Sequence, residues 1–277
     1  MSLNITTNIA AISAQKKMAS SQRNLQKSYA QLSSGSRITK AADDAAGLSI
    51  SENLKSTIRG YTQAKRNAND GISMIQVAEG GLSEVSNILT RLRELGVQAA
   101  SDTVGDRERG FINKEVNQLL NEVQRISESA RFNGTNLLDG SGEEFAFQID
   151  INNDDFKDRI GFDASKQNVQ ISELGIDGFD YSEKDGAREA LSVLEEAQKN
   201  VNEHRATLGA LQNRLISTTE NLGTAIENFS AANGRIRDTD VASASAELAK
   251  NNILNQASIG ILAQANNSPA QALRLIG

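Results

Sequence analysis

The sequence predicts a mainly α-helical protein, with a long helical coiled-coil hairpin, a terminal helix pair and a small central β-hairpin region. Three observations lead to this fold class. Apolar residues recur at spacings of three and four over most of the chain. The 277 residues include one proline, a residue that breaks helices. Only 4% are aromatic, so a compact globule with a single core is not expected at this length.

The first predicted helix ends near Leu32, where Ser33 to Ser36 favour a turn. Its apolar residues follow the alternation of an amphipathic helix. Such a stripe packs either within one molecule or against other copies, and both alternatives stay open at this point. The stripe consists of Ile5, Ile9, Ile12, Ala19, Leu25, Tyr29 and Leu32.

A joint of small polar residues, Gln31 to Leu54, connects this helix to the second. Asp43 and Asp44 precede the point where the apolar period restarts, at Leu48. Carboxylates placed there accept hydrogen bonds from the first N–H groups of a helix and offset its positive dipole end. The joint therefore ends one helix and starts another, and it divides residues 1–43 from 44–135.

The second predicted helix has coiled-coil spacing. Gly71, Gly80, Gly81 and Gly96 lie inside it, and each costs about 1 kcal/mol relative to alanine. These glycines imply either close approach of neighbouring structure or a bend near Gly80. The seam residues are Leu54, Ile58, Tyr61, Ala68, Ile72, Ile75, Leu82, Val85, Ile88, Leu89, Leu92, Leu95 and Ala99.

The capping-box spacing of Thr103 to Asp106 predicts a third helix that turns back antiparallel on the second. Residues 136–182 follow, and alternation from Phe145 to Ile151 predicts strands there. Ile160 to Phe162 and Val169 to Ile171 are shorter strand candidates. Most phenylalanines lie in this part, which should have a core of its own.

Charge also separates this segment from the rest of the chain. The net charge is −6, yet residues 139–182 alone hold eleven acidic and three basic side chains. This acidity indicates a solvated outer surface and argues against nucleic acid as a partner.

A fourth helix over residues 183–236 carries the most regular seam, from Leu191 to Ile236, and Asn233-Gly234 should interrupt it. A final helix over residues 237–277 runs from Val241 past Leu248 and Leu262. The simplest packing pairs the first helix with the last and the second with the fourth. Narrow apolar stripes bury little surface, so we expect both ends to be disordered or marginal in the monomer and to fold when copies pack together.

The sequence offers no chemistry of a catalytic site. It has no cysteine, and His204 is its only histidine, so a zinc histidine pair is impossible. We expect no enzyme activity, no metal and no cofactor. No run of about 18 apolar residues exists, so no membrane insertion is expected, and no secretory signal peptide is visible at the N-terminus.

Several ordered motifs resemble bacterial flagellin, the subunit of the flagellar filament, over about residues 1–139 and 183–277. They are Ile5 to Gln15, Leu32 to Leu48, Arg131 to Gly134, Ile253 to Ala257 and Leu262 to Asn266. The resemblance implies a self-assembling homopolymer, the extracellular propeller of swimming bacteria. It also implies export without a cleaved signal peptide through the flagellar type III apparatus with a chaperone, and contact with junction and cap proteins.

The resemblance further implies an inner layer built by both termini, an outer coiled-coil layer and a solvent-facing middle. The joint then becomes a spoke, and substitution of Gly35, Asp43, Asp44 or Gly47 should block assembly while the outer coiled coil stays folded. Self-assembly would use apolar residues of the inner helices, namely Ile5, Ile9, Ile12, Leu25, Leu32, Leu248, Leu254, Ile261 and Leu262.

Another stretch, Arg91 to Leu95 with Glu115, resembles the part of flagellin that Toll-like receptor 5 recognises. Arg91, Leu95 and Glu115 match that pattern, whereas Leu119 stands where it usually has a basic residue. Packing between subunits is the alternative role. Two other functions compete with the filament: a hook–filament junction protein, which shares the terminal coiled-coil logic, and a secreted membrane-active protein with a basic amphipathic helix.

Overall fold

The computed structural model describes the backbone of residues 7–276 and the side chains of residues 7–267. The prediction of a mainly helical chain is confirmed, with five helices in the described part. They are α1 (Ile9–Ser34), α2 (Ala45–Ala99), α3 (Asp106–Ser129), α4 (Lys184–Arg237) and α5 (Val241–Ile276).

The chain divides into two compact units. Residues 1–56 and 228–277 form the terminal unit, and residues 57–227 form the central unit. The terminal unit reaches beyond the predicted segments 1–43 and 237–277. One reason is an ion pair between Glu52, in the first turns of α2, and Arg237 at the end of α4.

Four short strands form two antiparallel hairpins between α3 and α4. β1 (Arg131–Phe132) and β2 (Thr135–Asn136) are joined by Asn133 and Gly134, whose φ values of 49° and 85° are those of a tight hairpin turn. β3 (Glu144–Gln148) pairs with β4 (Arg159–Asp163), and the rings of Phe145 and Phe162 stack across this pair.

The strand predicted at Val169 to Ile171 was wrong. The side chain of Asn168 accepts a hydrogen bond from the Gln170 amide, and the Gln170 carbonyl accepts from Leu174. These local bonds form turns, so pairing with a neighbour is limited to one isolated bridge between Asp139 and Asn168, where the Val169 amide donates to the Leu138 carbonyl.

The second, third and fourth helices and the segment between them share one core in the central unit. α2 runs antiparallel to both neighbours. Arg91 pairs with Glu115 on α3, and Ser86 accepts a hydrogen bond from Gln198 on α4. The pairing predicted between the second and fourth helices is confirmed by this contact.

The expectation that the β segment has a separate core was wrong. Tyr181 is fully buried, and its hydroxyl donates to the carbonyl of Leu92 on α2. Burial raises the pKa of this phenol to about 12. Leu137 and Leu138 are also fully buried within the same cluster as the helix seams, so the segment completes the helical core.

Close approach explains three of the four glycines in α2. A Cβ at Gly71 would lie 3.1 Å from the Phe147 ring, one at Gly81 would lie 2.7 Å from Leu138, and one at Gly96 would lie 3.1 Å from Leu191. Gly80 has open space around it, and α2 is continuous through this position.

Adjacent glycines allow a direct test of this explanation. Gly80→Ala should stabilise the protein by about 0.5–1 kcal/mol, because alanine favours the helix and meets no neighbour. Gly81→Ala should destabilise it by about 1–3 kcal/mol, because its methyl group overlaps the buried Leu138. Urea unfolding followed by circular dichroism measures both. A shift of the same sign in both variants would contradict the packing explanation.

The interruption predicted at Asn233-Gly234 and the capping box predicted at Thr103 to Asp106 were wrong. α4 continues through Asn233 and Gly234 to Arg237, and the Asp238 amide still donates to the Gly234 carbonyl. At the start of α3, Gly105 is the N-cap residue and no side chain caps the helix. The Thr103 hydroxyl instead bonds to the hydroxyl of Ser101, so the capping box does not form.

Candidate functional site: the terminal helix pair and its joint

The first and last helices pack against each other, as predicted, through a seam with regular heptad spacing. The seam residues on both helices are buried or half-buried and recur at spacings of three and four. On α1 they are Ala11, Ala14, Met18, Ser21, Leu25, Ser28 and Leu32. On α5 they are Ala244, Leu248, Asn251, Asn255, Ser258, Leu262 and Ala265.

Small and polar residues make up most of this seam. Two hydrogen bonds between side chain and backbone cross it: the Ser21 hydroxyl donates to the Asn251 carbonyl, and the Asn8 amide donates to the Ala265 carbonyl over 2.7 Å. Asn8 also caps α1, since its side-chain oxygen accepts from the Ala11 amide. Such a seam fixes the register of the pair but buries little apolar surface.

The large apolar residues of the two helices point mainly away from the seam. In the described part of the chain, nine of the fifteen exposed large apolar side chains belong to the terminal unit. Ile9 is 69% exposed and Ile261 is 61% exposed. An apolar surface of this extent on one small unit marks an interaction site.

The residues predicted for self-assembly therefore fall into two groups. Leu25, Leu32, Leu248 and Leu262 are half-buried in the seam. The exposed group consists of Ile9, Ile12, Leu254 and Ile261. Ile5 lies outside the described residues.

At the joint, the end of α1 lies beside the end of α4. Gly35 ends α1 with a φ of 67°, a left-handed conformation that favours glycine. The Arg37 amide donates to the Arg237 carbonyl over 2.7 Å, and the Thr239 amide donates to the Gly35 carbonyl. The Arg37 guanidinium also donates to the carbonyl of Ile236. These bonds hold the joint against the chain segment that connects α4 to α5.

Asp43 organises the loop that follows. Its carboxylate accepts hydrogen bonds from the amide and hydroxyl of Thr39 and from the amide of Lys40. The Lys27 ammonium on α1 lies 2.9 Å from the same carboxylate. Lys27 first, and then Thr39, lower the pKa of Asp43 far below its usual range. The charged form of Asp43 therefore ties the loop to α1.

Asp44 has the capping role that the sequence predicted. Its carboxylate accepts from the Gly47 amide over 2.8 Å at the start of α2. A side chain at Gly47 would be crowded, because a Cβ there would lie 2.4 Å from the Asp44 carboxylate and 2.9 Å from Ile38. Ile38 itself is buried in the loop.

Sequence reasoning missed several residues of this site. Lys27, Thr39 and Arg37 carry hydrogen bonds or ion pairs at the joint, and Ser21 and Asn251 pin the seam. The signal for the seam was present: Ala11, Ala14 and their successors repeat with heptad spacing. It was obscured because the larger isoleucines repeat on another face.

The receptor-like stretch belongs to the central unit. Arg91 forms ion pairs with Glu94 and with Glu115, and all three side chains are exposed. Leu95 is 2% exposed and packs in the core, so it is not available to a partner. Arg91 and Glu115 thus form a surface pair over a buried Leu95.

The described residues contain no cluster of three or more histidine, cysteine or acidic side chains suited to a metal ion. Burial lowers the pKa of His204 and so favours its neutral form. Among the described helices, none combines the length and the apolar character that crossing a membrane requires.

Comparison with known proteins identifies two family models. The bacterial flagellin N-terminal helical region matches residues 5–143, and the bacterial flagellin C-terminal helical region matches residues 191–276. These two matches lie at the two ends of the chain, where the helix pair and the joint are formed.

Curated proteins match over nearly the whole length. A flagellin of Halalkalibacterium halodurans is 42% identical over 272 residues, which are 98% of this chain and 99% of that protein. The flagellar filament core protein flaB2 of Brachyspira hyodysenteriae is 43% identical over 284 residues, again 98% and 99%. A crystal structure of Bacillus cereus flagellin aligns with a TM-score of 0.51 and 28% identity, covering 57% of this chain and 88% of that one.

Proposed function

Because the chain belongs to the bacterial flagellin family, we propose that it polymerises with its own copies into the flagellar filament, the propeller of swimming bacteria. The observation that carries this function is the exposed apolar surface of the α1 and α5 pair. A monomer gains nothing from exposing Ile9, Ile12, Leu254 and Ile261. The junction-protein and membrane-active alternatives are not favoured, since both family models describe flagellin.

In this proposal the seam and the exposed surface have different roles. The seam residues, including Leu25, Leu32, Leu248 and Leu262, align the two helices of one copy. The exposed isoleucines and Leu254 pack against neighbouring copies, together with Ile5. A seam made mostly of small and polar residues offsets little of the ordering entropy of two long helices, so their folding is coupled to assembly.

The joint acts as the spoke that sets the terminal helix pair for assembly. The hydrogen bonds of Asp43, the cap from Asp44, the space at Gly47 and the conformation of Gly35 support this role. Substitution of any of the four should block assembly and leave the central unit folded. If the monomer of such a variant lost its helical circular dichroism signal, the joint would instead be needed for the fold of the monomer.

Electron microscopy of the purified chain, seeded with filament fragments, tests the proposed function. The intact chain should elongate the seeds, whereas a chain without residues 1–40 should stay monomeric, because it lacks α1 and the first part of the joint, including Gly35. If the intact chain never elongates seeds and the truncation changes nothing, the filament function is wrong.

The ion pair at Asp43 predicts the acid sensitivity of the assembled state. The folded pKa of Asp43 lies below its ordinary value, so its contribution is present above about pH 4 and is lost as the pH falls toward the folded pKa. Lys27→Met removes the main cause of the lowered pKa. Filaments of this variant should therefore dissociate at a higher pH than the parent filaments.

Light scattering during an acid titration measures this midpoint. Lys16→Met, an exposed position on the same helix, removes one positive charge without touching Asp43 and serves as the control. Equal midpoints for both variants would show that the Lys27–Asp43 pair does not contribute.

We infer further that the chain is exported through the flagellar type III apparatus with a chaperone, without a cleaved signal peptide, and that it acts outside the cell without catalysis. At the ends of the filament it would meet junction and cap proteins. For the Arg91, Leu95 and Glu115 stretch we propose subunit packing as the main role. Recognition by Toll-like receptor 5 would have to use Arg91 and Glu115, because Leu95 is buried.

A further inference from the structure

Phe156 at the tip of the β3–β4 hairpin is the most exposed large apolar side chain of the described residues, at 84%. The loop around it is ordered by hydrogen bonds. The Asp154 carboxylate accepts from the amides of Phe156 and Lys157, and the Asp154 amide donates to the carboxylate of Asp158. A bulky aromatic ring is thus held in solvent on a rigid turn, which lowers the entropic cost of binding it.

A groove on the same central unit offers a matching surface. It has a volume of about 380 Å³ and lies between β4 and α4. Its apolar lining includes Phe162 on β4 and Ala210 and Leu211 on α4. Because Phe156 is exposed, the groove is not filled by the tip of its own chain.

Charge is complementary between these two surfaces. Asp154 and Asp155 precede Phe156 and pair with Lys157 and Arg159 of the same loop. The loop from Asp150 to Arg159 contains four acidic and two basic side chains, so it keeps a net negative charge. Asp163, Lys166 and Arg214 border the groove. Lys166 is paired with Asp163, whereas Arg214 is exposed with no ion pair among the described residues. The net negative charge of the tip loop and the unpaired cation of Arg214 favour encounter in one orientation.

We propose that the Phe156 tip of one copy docks into the groove formed by Phe162, Ala210 and Leu211 of a second copy. The inference rests on the proposed function and adds a specific contact in the central unit. The tip and the groove are different surfaces, so a docked copy still presents a free tip or groove to the next. A contact of this head-to-tail kind produces an open chain of subunits, as a filament requires.

The sequence contains no cysteine, so in a crosslinking test only the introduced cysteines carry a thiol that can react. One variant carries Lys157→Cys beside the tip, and the other carries Thr207→Cys at the groove. A short bis-maleimide reagent should join one copy of each variant in mixed filaments, but not in monomer at the same concentration. Glu196→Cys, on the same face of α4 about three turns away, is the matched control and should give little product.

Phe156→Ser provides the second measurement. It should reduce the crosslink yield and raise the critical concentration for assembly by about tenfold, the effect of losing one anchoring aromatic side chain. Its unfolding midpoint should match the parent chain, because the ring is exposed. Phe156→Leu should retain most of the assembly.

Suppose that filaments form normally, but Lys157→Cys crosslinks equally to Thr207→Cys and Glu196→Cys, or to neither. This result would overturn the docking contact and leave the filament function intact. Normal assembly of Phe156→Ser would also overturn it. Failure of the parent chain to form filaments at all would instead contradict the proposed function.

Discussion

The double variant Ile12→Ser and Ile261→Ser should lose polymerisation while its central unit keeps the parent unfolding midpoint. Both side chains are more than half exposed, so their replacement costs the isolated subunit little. In the filament each would be buried against a neighbouring copy, a contribution of about 1.5–3 kcal/mol per side chain. Since 1.4 kcal/mol is a factor of ten, the critical concentration should rise at least about a hundredfold.

Sedimentation of seeded samples over a range of concentrations measures this change. The control variant, Gln15→Ser and Gln264→Ser, introduces two serines at exposed positions of the same helices and should assemble as the parent does. Assembly of the isoleucine variant at the parent concentration would show that this surface is not the contact between copies.

The expected loss of polymerisation depends on telling the seam face of α1 and α5 from their exposed face. The helical spacing of apolar residues does not by itself make this distinction. The sequence predicts the first and last helices because apolar residues recur at helical spacing, and the structure confirms both. Ile9 and Ile12 suggested the packing face, yet the seam runs through Ala11 and Ala14. Hydrophobic size identifies the face that needs a partner, whereas small size and heptad spacing identify the face where two helices meet closely.

The joint shows a similar limit. Small polar residues and paired carboxylates predicted its place, and Asp44 caps α2 as expected. Asp43 has a different task, because its partners are Thr39, Lys40 and the distant Lys27. Which of two adjacent carboxylates caps a helix depends on the path of the loop, and local sequence does not determine that path.

In the central unit, the role of Arg109 was missed for a related reason. It occupies the first position of the buried stripe of α3, followed by Ile112, Val116 and Leu120. A charged residue there does not fit the apolar pattern, so the pattern places the start of the stripe at a later residue. The guanidinium donates to the carbonyl of Ala99, the last residue of α2, and to the carbonyl of Ser101 just beyond the helix. The last carbonyls of a helix have no partner within the helix.

Arg109→Met should therefore destabilise the central unit by about 2–4 kcal/mol, the largest effect expected from one side chain of this turn. Methionine fills similar space but leaves the carbonyls of Ala99 and Ser101 without donors. Arg109 is 8% exposed, so water replaces these bonds poorly. Denaturant unfolding of the monomer, followed by circular dichroism, measures the loss.

Two further variants separate the hydrogen bonds from the ion pair. Asp106→Ala removes the carboxylate that Arg109 also contacts, but this side chain is 95% exposed, and the cost should be at most about 1 kcal/mol. Arg109→Lys keeps the charge without the planar fork of donors and should recover only part of the stability. If Arg109→Met and Asp106→Ala lower the free energy of unfolding by the same amount, the surface ion pair is the source of the stabilisation. The role of the hydrogen bonds from Arg109 to the carbonyls of Ala99 and Ser101 would then be wrong.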